Sequence, residues 1–380
     1  MSWCFHNPVK ITVGRGCRAQ LIDQVFKEKL LIVTSQRGRS QLTQDNHLNK
    51  LLTNNDVIWI DDVKENPGFT DLKNTIDQLQ GATINTIIAF GGGSVIDAAK
   101  AIRLGIALGK KYGFEELLKD NSLHIKAPQP VLYALPTTSG TGSEVTPFAT
   151  VWHHEVKKKL SLGSEQVFPT AAYVDADLID SVPTGVTLST GLDTINQAAE
   201  SIWNKSANAI TLAYATEALK LGFDALPKLI SGIGTQQERE CERERMAEAS
   251  LLAGLAISHT RTALCHSISY PLTAHFGIPH GLACAFTMPA VCELNVAADD
   301  GRFARLAEQL FCVKNADIIT KRFSLLNKQL RVREIVRQYI PCFDDLISLK
   351  SEMFTKERAS NNLAPLHSHE LERILAKSWG

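Results

Sequence analysis

Residues 91–100 read GGGSVIDAAK, and this stretch decides the fold. It follows the apolar run 87–90, which is typical of a buried parallel strand, and it opens into a segment with helical pattern. Glycines at a strand end let backbone N–H groups approach an anion at the helix N-terminus, where the helix dipole favours negative charge. The pattern predicts a cradle for a nucleotide pyrophosphate. The alternative is a tightly packed turn that binds no ligand.

A second loop of this kind, PTTSGTGSE, occupies residues 136–144 after the apolar run 131–135. Its hydroxyl side chains could also cap the following helix, since Ser and Thr satisfy unpaired N–H groups there. Two such loops at strand ends suit a dinucleotide that lies across an open α/β sheet.

The composition favours small-molecule chemistry. The chain has 380 residues, and Lys plus Arg number 40 against 40 for Asp plus Glu. This balance gives no general attraction to nucleic acid or to an anionic membrane, so we expect neither as a partner. The start of the chain lacks a basic stretch followed by an apolar one, and no apolar run is long enough to cross a membrane, so we expect a cytoplasmic protein.

The eight cysteines are scattered without a C-x-x-C pair. This pattern argues against a disulfide framework and against a thiolate zinc site, and it predicts reduced, buried thiols.

Short β-rich runs alternate with helical patterns in the first half of the chain. The runs are 30–34, 57–60, 86–90, 131–135 and 171–174. Such alternation predicts a parallel sheet covered by helices. After Pro183, long Ala/Leu/Glu/Arg-rich stretches dominate, such as 207–228 and 236–258. We therefore expect an α/β dinucleotide-binding domain over residues 1–180 and an all-helical domain over residues 181–380.

The helical half contains candidate metal ligands. Asp193 and Gln197 are four residues apart and share a helix face, as do His266 and Tyr270, and His280 follows within Pro-His-Gly. Two imidazoles and a carboxylate that converge could hold a divalent metal. The alternative is a helix-capping aspartate with two structural histidines.

These motifs together resemble the iron-containing, or group III, alcohol dehydrogenases. The shared features are GGGSVIDAAK, PTTSGTGSEVT, the Gly-Leu-Asp at 191–193 and the segment from His266 to the Pro-His-Gly at 279–281. The resemblance spans nearly the whole chain and extends to Asn66-Pro67 and Asn361-Asn362. It implies an N-terminal dinucleotide-binding domain, a helical C-terminal domain and NAD(P)H-dependent reduction of a small aldehyde to a primary alcohol.

The resemblance also implies a divalent metal, Fe²⁺ or Zn²⁺. The implied ligands are Asp193, Gln197, His266 and His280, and the implied catalytic residues are Asp193, His266, Tyr270 and His280. Gln197 departs from the family histidine and offers a weaker amide oxygen, so we expect reduced metal occupancy. Tyr270 replaces a histidine that many members carry, and a phenol with an ordinary pKa of about 10 is a different acid. The departures also permit a variant without tightly bound metal, in which Tyr270 and Gln197 donate hydrogen bonds to the carbonyl.

The implied nicotinamide cofactor lies along both strand-end loops. Its pyrophosphate and ribose contacts are implied for Gly91, Gly92, Gly93, Ser94, Asp97, Thr137, Thr138 and Thr141. Lys159 and Leu178 match positions beside the nicotinamide. The alternatives for this pair are a surface lysine and an ordinary core leucine.

The segments 200–205 and 267–281 make the chain most similar to the phosphonoacetaldehyde reductase branch of that family. This similarity implies reduction of phosphonoacetaldehyde to 2-hydroxyethylphosphonate. A phosphonate dianion needs Arg or Lys partners, and Arg261 is the candidate, with a surface position on a helix as the alternative.

Cofactor choice is predicted from the end of the run 30–34. In NAD enzymes a carboxylate there accepts the ribose hydroxyls, whereas here Ser35 is followed by Arg37 and Arg39. We expect NADP(H) to be preferred over NAD(H). The alternative is that both arginines are exposed turn residues.

Two other function classes remain open. A dehydroquinate-synthase-like cyclase would recycle its nicotinamide, so a stoichiometric change in nicotinamide absorbance separates it from a dehydrogenase. A non-catalytic relative with a decayed metal site would bind nucleotide without turning over any aldehyde. A homodimer is an open alternative for the oligomeric state.

Overall fold

The computed structural model describes residues 2–109, 113–120, 124–156, 158–354 and 356–380. These residues form two compact units. The α/β unit comprises His6–Thr138 and Gly142–Val182. The helical unit comprises Pro183–Gly380 together with Ser139–Thr141 and residues 2–5.

The α/β unit is built on parallel strands. Its strands are β1 (Lys10–Val13), β2 (Lys29–Val33), β3 (Asp56–Ile60), β4 (Thr86–Gly91), β5 (Val131–Pro136), β6 (Phe148–His153), β7 (Lys158–Gly163) and β8 (Ala171–Val174). Its helices are α1 (Gln36–Gln44), α2 (Asn49–Asn54), α3 (Phe69–Leu79), α4 (Gly93–Leu108) and α5 (Phe114–Lys119).

Six of the strands form one parallel sheet in the order β1-β8-β5-β4-β2-β3. The predicted parallel sheet is confirmed, and each of the five predicted runs is a strand of it. The sequence analysis did not identify β1, nor the separate antiparallel hairpin of β6 and β7.

Both faces of the sheet are covered by apolar side chains. Leu31 and Val33 of β2 pack into one core, which also contains residues of α3 and α4, while Leu30 and Ile32 pack into a core on the opposite face. Burial on both faces explains why the strands are continuous apolar runs rather than alternating ones.

The helical unit has a single large core. Its helices are α6 (Thr184–Ile202), α7 (Ala209–Ser231), α8 (Gln236–Thr260), α9 (Leu264–Phe276), α10 (His280–Val296), α11 (Arg302–Phe311), α12 (Asp317–Gln329), α13 (Val332–Val336), α14 (Phe343–Ser348), α15 (Lys356–Ala359) and α16 (Ser368–Trp379). Asn208 and Thr235 begin α7 and α8 with reciprocal side-chain caps, which satisfy N–H groups of the first turn. The predicted helical C-terminal part is confirmed. Among the residues described above, none of the helices is both long and apolar enough for a membrane span.

Candidate metal and nucleotide sites

Three helices of the helical unit bring the predicted metal ligands together. Asp193 lies on α6, His266 on α9, and His280 is the first residue of α10. The next residue, Gly281, packs directly on α6, and a Cβ there would overlap the carbonyl oxygen of Ser189. The glycine of Pro-His-Gly therefore permits the close helix contact that brings His280 to the site.

The donor atoms of Asp193, His266 and His280 lie within 4.8 Å of one another, and the Sγ of Cys284 belongs to the same group. Asp193, His266 and Cys284 are buried, and the rings of His266 and His280 meet edge to face at 5.2 Å. Cys284 is not among the metal ligands predicted from the sequence. Its signal in the sequence is its spacing, one helical turn after His280.

Glu200, on α6, fixes the orientation of His266. Its buried carboxylate accepts a hydrogen bond from the Nδ1 of His266 at 2.8 Å and from the backbone N–H groups of Ala263 and His266. The Nε2 of His266 is thereby directed at the Oδ1 of Asp193, 3.3 Å away. A carboxylate behind a histidine is the usual support of a metal-ligating imidazole. Glu200 is not among the site residues predicted from the sequence.

The contacts of His266 with Glu200 and Asp193 indicate whether these residues fit a metal. With the Nδ1 proton donated to Glu200, a neutral His266 presents a lone pair to the carboxylate of Asp193. Two acceptors at this distance, away from water, need a proton or a cation between them. The donor set therefore fits a divalent metal.

The pKa values of His266 and Cys284 are shifted by burial and by the ionisable groups packed around them. Burial alone would lower the pKa of His266, but Cys284, Glu200 and Asp193 outweigh it and raise the pKa well above its ordinary value. Burial raises the pKa of the Cys284 thiol, and His266 opposes this rise.

Gln197 lies beside these ligands on α6, and its Nε2 donates a hydrogen bond to the Oδ2 of Asp193 at 3.0 Å. Its Oε1 is buried and has no hydrogen-bond partner among the residues that the structure describes. One N–H of the amide is therefore used by the carboxylate of Asp193.

Tyr270 and Arg358 extend the site away from the metal ligands. The Tyr270 ring stacks on the His280 ring at 5.7 Å with an interplanar angle of 4°. The guanidinium carbon of Arg358, which is half-buried, lies 4.5 Å from the centroid of the Tyr270 ring. Arg261, the predicted anion-binding residue, is exposed and ends α8 with a φ of 62°. Arg358 is not among the site residues predicted from the sequence, and it lies far from the histidines along the chain.

The predicted pyrophosphate loop is the turn from β4 into α4. Gly92 precedes the helix without a side-chain cap, so the first-turn N–H groups are not covered by a capping side chain. A Cβ on Gly92 would come within 3.0 Å of the Thr138 hydroxyl, so the two strand-end loops adjoin here. Thr137 donates its backbone N–H to Gly91, and Ser94 accepts one from Asn66.

The other predicted cofactor residues have varied surroundings. Asp97 accepts hydrogen bonds from the Ser143 hydroxyl and from the backbone N–H of Thr150, so both of its oxygens have protein partners. Burial raises the pKa of the Asp97 carboxyl, and the charge of Lys159, on β7, opposes this rise, whereas Leu178 is buried in the sheet core. Thr141 belongs to the helical unit, through the segment Ser139–Thr141.

The residues after β2 form the first turn of α1. Ser35 caps this helix by accepting from the N–H of Gly38 at 3.1 Å. Arg37 donates to the carbonyl of Ser181, and Arg39 pairs with Asp61 at 2.6 Å and lies over the Trp59 ring. The two arginines are therefore exposed but anchored.

Comparison with known proteins assigns the chain to a family. Residues 8–176 match the family model for iron-containing alcohol dehydrogenase, and residues 187–379 match the model for the C-terminal part of Fe-containing alcohol dehydrogenases. The NAD-dependent methanol dehydrogenase of Bacillus methanolicus is 33% identical over 310 residues, which cover 80% of this chain and 79% of that protein. The NADPH-dependent butanol dehydrogenase of Clostridium saccharobutylicum is 28% identical over 345 residues, with coverages of 88% and 86%.

Comparison with solved structures supports the same family assignment. The sulfoacetaldehyde reductase of Bifidobacterium kashiwanohense, solved in complex with NAD⁺, superposes with a TM-score of 0.89 and 27% identity, covering 100% of this chain and 99% of that one. Together the matches define an NAD(P)-dependent oxidoreductase of alcohols and aldehydes. The chain belongs to the iron-containing alcohol dehydrogenase family, as predicted from its motifs.

Proposed function

We propose that this chain reduces phosphonoacetaldehyde to 2-hydroxyethylphosphonate, with a divalent metal at Asp193, His266 and His280 and hydride from a reduced nicotinamide nucleotide. The observation that carries the proposal is one contact series in the helical unit. The metal-ligand group includes His280, the His280 ring stacks on the Tyr270 ring, and the guanidinium of Arg358 lies over the Tyr270 ring.

This series suits a small aldehyde with an anionic end. An aldehyde oxygen needs positive charge near the ligand group, and a tetrahedral oxyanion needs a forked, permanently charged donor such as arginine. Arg358 is better situated for this than Arg261, because it is half-buried against a side chain that itself contacts a metal-ligand candidate. Sulfoacetaldehyde, the substrate in the name of a structural neighbour, is likewise a two-carbon aldehyde that carries a tetrahedral anionic group.

The protein side chains chiefly position the reacting groups. Glu200 keeps the Nδ1 proton of His266 in place, so the Nε2 faces the site, and Gln197 holds one oxygen of Asp193. Tyr270 packs its ring on His280 and limits the motion of that imidazole. When bound, the metal supplies Lewis-acid polarisation of the aldehyde oxygen and the nicotinamide supplies the hydride.

On the nucleotide side, we propose that the β4–α4 turn binds the pyrophosphate and that NADP(H) is preferred over NAD(H). The uncapped first turn of α4 supports the first point. Arg37 and Arg39 support the second, since a 2′-phosphate could compete with Asp61 for Arg39.

The test compares phosphonoacetaldehyde, sulfoacetaldehyde and uncharged propanal with the metal-loaded enzyme and NADPH. We expect the highest kcat/KM for phosphonoacetaldehyde. Arg358→Ala should lower its advantage over propanal by roughly ten- to a hundred-fold, because a contact to a charged group contributes about 1.5–3 kcal/mol.

Arg261→Ala is the matched control, and it should leave that ratio nearly unchanged. Equal activity of the wild type on propanal and the phosphonate would eliminate the substrate assignment. A higher kcat/KM for sulfoacetaldehyde would transfer the assignment to the sulfonate. A larger loss in Arg261→Ala than in Arg358→Ala would restore Arg261 as the anion-binding residue.

A further inference from the structure

Cys284 is buried in the core of the helical unit, and it also lies among the candidate metal ligands. It lies on α10, one turn after His280, with no solvent exposure. Its Sγ is 3.8 Å from the Nε2 of His280 and lies within 4.8 Å of the donor atoms of Asp193 and His266. It therefore belongs to the group of candidate metal ligands.

Two of the distances between these donor atoms match the edges of a metal tetrahedron. A cation with bonds of about 2.0–2.3 Å to nitrogen, oxygen and sulfur separates its donor atoms by roughly 3.3–3.8 Å. The observed distances are 3.3 Å between His266 Nε2 and Asp193 Oδ1, and 3.8 Å between His280 Nε2 and Cys284 Sγ. Each pair already has the length that a shared cation requires.

Gln197 is less suited to complete this set. Its side-chain nitrogen donates to Asp193 and cannot ligate a cation, which leaves the neutral Oε1 as its one ligand atom, a weaker ligand than a thiolate.

We propose that Cys284 ligates the divalent metal as a thiolate together with Asp193, His266 and His280, and that Gln197 is a positioning residue that acts through Asp193. On metal binding the S–H bond breaks, a sulfur–metal bond forms and the proton passes to solvent, with no change of oxidation state. The inference rests on the proposed function, because it concerns the same metal site. A thiolate is a soft ligand, so the site should retain Zn²⁺ better than a site of oxygen and nitrogen ligands alone.

The first test uses the full chain, treated with chelator and reloaded with Co²⁺. The wild type should show a sulfur-to-cobalt charge-transfer band in the near ultraviolet. Cys284→Ser should lose that band, and its Co²⁺ affinity should fall by at least the roughly 10- to 100-fold that loss of a supporting contact costs.

Cys292→Ser is the matched control. Cys292 is buried on the same helix, and its Sγ accepts a hydrogen bond from Thr320 rather than facing the ligand group. This variant should keep the band, as should Gln197→Ala. A stoichiometric Co²⁺ wild type without the band, or a band that survives in Cys284→Ser, would overturn the inference.

A second measurement needs no variant. X-ray absorption at the zinc edge of the Zn²⁺-loaded wild type should show one sulfur at about 2.3 Å beside nitrogen and oxygen ligands. Nitrogen and oxygen alone would contradict the assignment of Cys284. Aldehyde reduction by the same preparation separates the two proposals, because activity without a sulfur ligand overturns only this inference. A sulfur ligand without activity overturns only the proposed function.

Discussion

Each unit of the molecule buries a cluster of charged side chains, and the two clusters differ in how their hydrogen bonds are filled. In the α/β unit, the Lys100 ammonium donates to the Ser143 hydroxyl and to the carbonyls of Thr146 and Phe148. Its three protons are all used within the protein. In the helical unit, the Nε2 of His266 and the Oδ1 of Asp193 lie 3.3 Å apart, in a group whose other donor atoms belong to His280 and Cys284.

The difference separates a structural cluster from a binding site. Buried polar groups must be paired, so a cluster that satisfies itself stabilises the fold and has no further requirement. A cluster in which acceptors converge needs a proton or a cation between them. The convergence of four metal-ligating side chains, rather than burial or charge as such, therefore indicates the metal site.

The strongest test of this contrast is Lys100→Met, which removes the central donor of the structural cluster. Asp97 and Glu144, whose carboxyl pKa values burial already raises and Lys100 lowers, would lose their cation. Removing one partner of a buried charged cluster typically costs about 3–5 kcal/mol in the free energy of unfolding. Urea denaturation of the metal-free protein measures it.

Asp193→Asn is the control in the other cluster, and it should cost the metal-free protein less stability than Lys100→Met does, because the buried carboxylate of Glu200 still pairs with His266. Equal losses of stability at the two positions would contradict the difference between the two clusters.

Burial lowers the pKa of Lys100 from 10.5 to about 8, so the unfolded chain holds more protons than the folded protein between these pH values. The wild type should therefore gain stability as pH rises through this window, and Lys100→Met should lack the gain.

Glu200→Gln tests the support behind the metal ligands. The amide has one acceptor where the carboxylate has two, so the orientation of His266 is less well defined. We expect Zn²⁺ affinity to fall by roughly 10- to 100-fold, measured by competition with a chelating dye. Glu293→Gln, which disrupts an accessible ion pair with Lys377, is the control. The same affinity in wild type and Glu200→Gln would show that the carboxylate does not support the site.

Gln197→His sharpens the comparison by adding a nitrogen donor to the converging cluster. Metal retention should rise by about ten-fold, at the lower end of the effects of altering a metal-site shell. Elemental analysis before and after dialysis against chelator measures the change. Equal, complete retention by both proteins would show that Gln197 does not weaken the site.

The smallest effect is expected for charged groups that are not buried. Replacing Arg37 and Arg39 with alanine should reduce the preference of kcat/KM for NADPH over NADH by at most about five-fold per arginine, since exposed ionic contacts contribute no more than about 1 kcal/mol. Arg245→Ala, which disrupts an ion pair in the helical unit, is the control. A wild type that favours NADH would refute the predicted cofactor preference.

Several parts of the fold were determined by local sequence. The apolar runs of β2, β4 and β5 are buried on both faces, so each carries its own signal. β1 has exposed residues at both ends, so its sequence shows no buried apolar run, and its pairing with β8 stabilises it as a strand. The half-buried strands β6 and β7 likewise depend on each other. Marginal strands become visible only when their partners are known.

The site divides in the same way. Helical spacing alone places Asp193 beside Gln197 and Cys284 beside His280, because residues four apart share a face. Sequence motifs brought Asp193, His266 and His280 together as a hypothesis. The roles of Glu200, Cys284 and Arg358 depend on which helix faces meet, and those contacts are set by packing such as the close approach at Gly281. Contacts between helices far apart along the chain leave no periodic signal in the sequence, so the tertiary structure alone decided them.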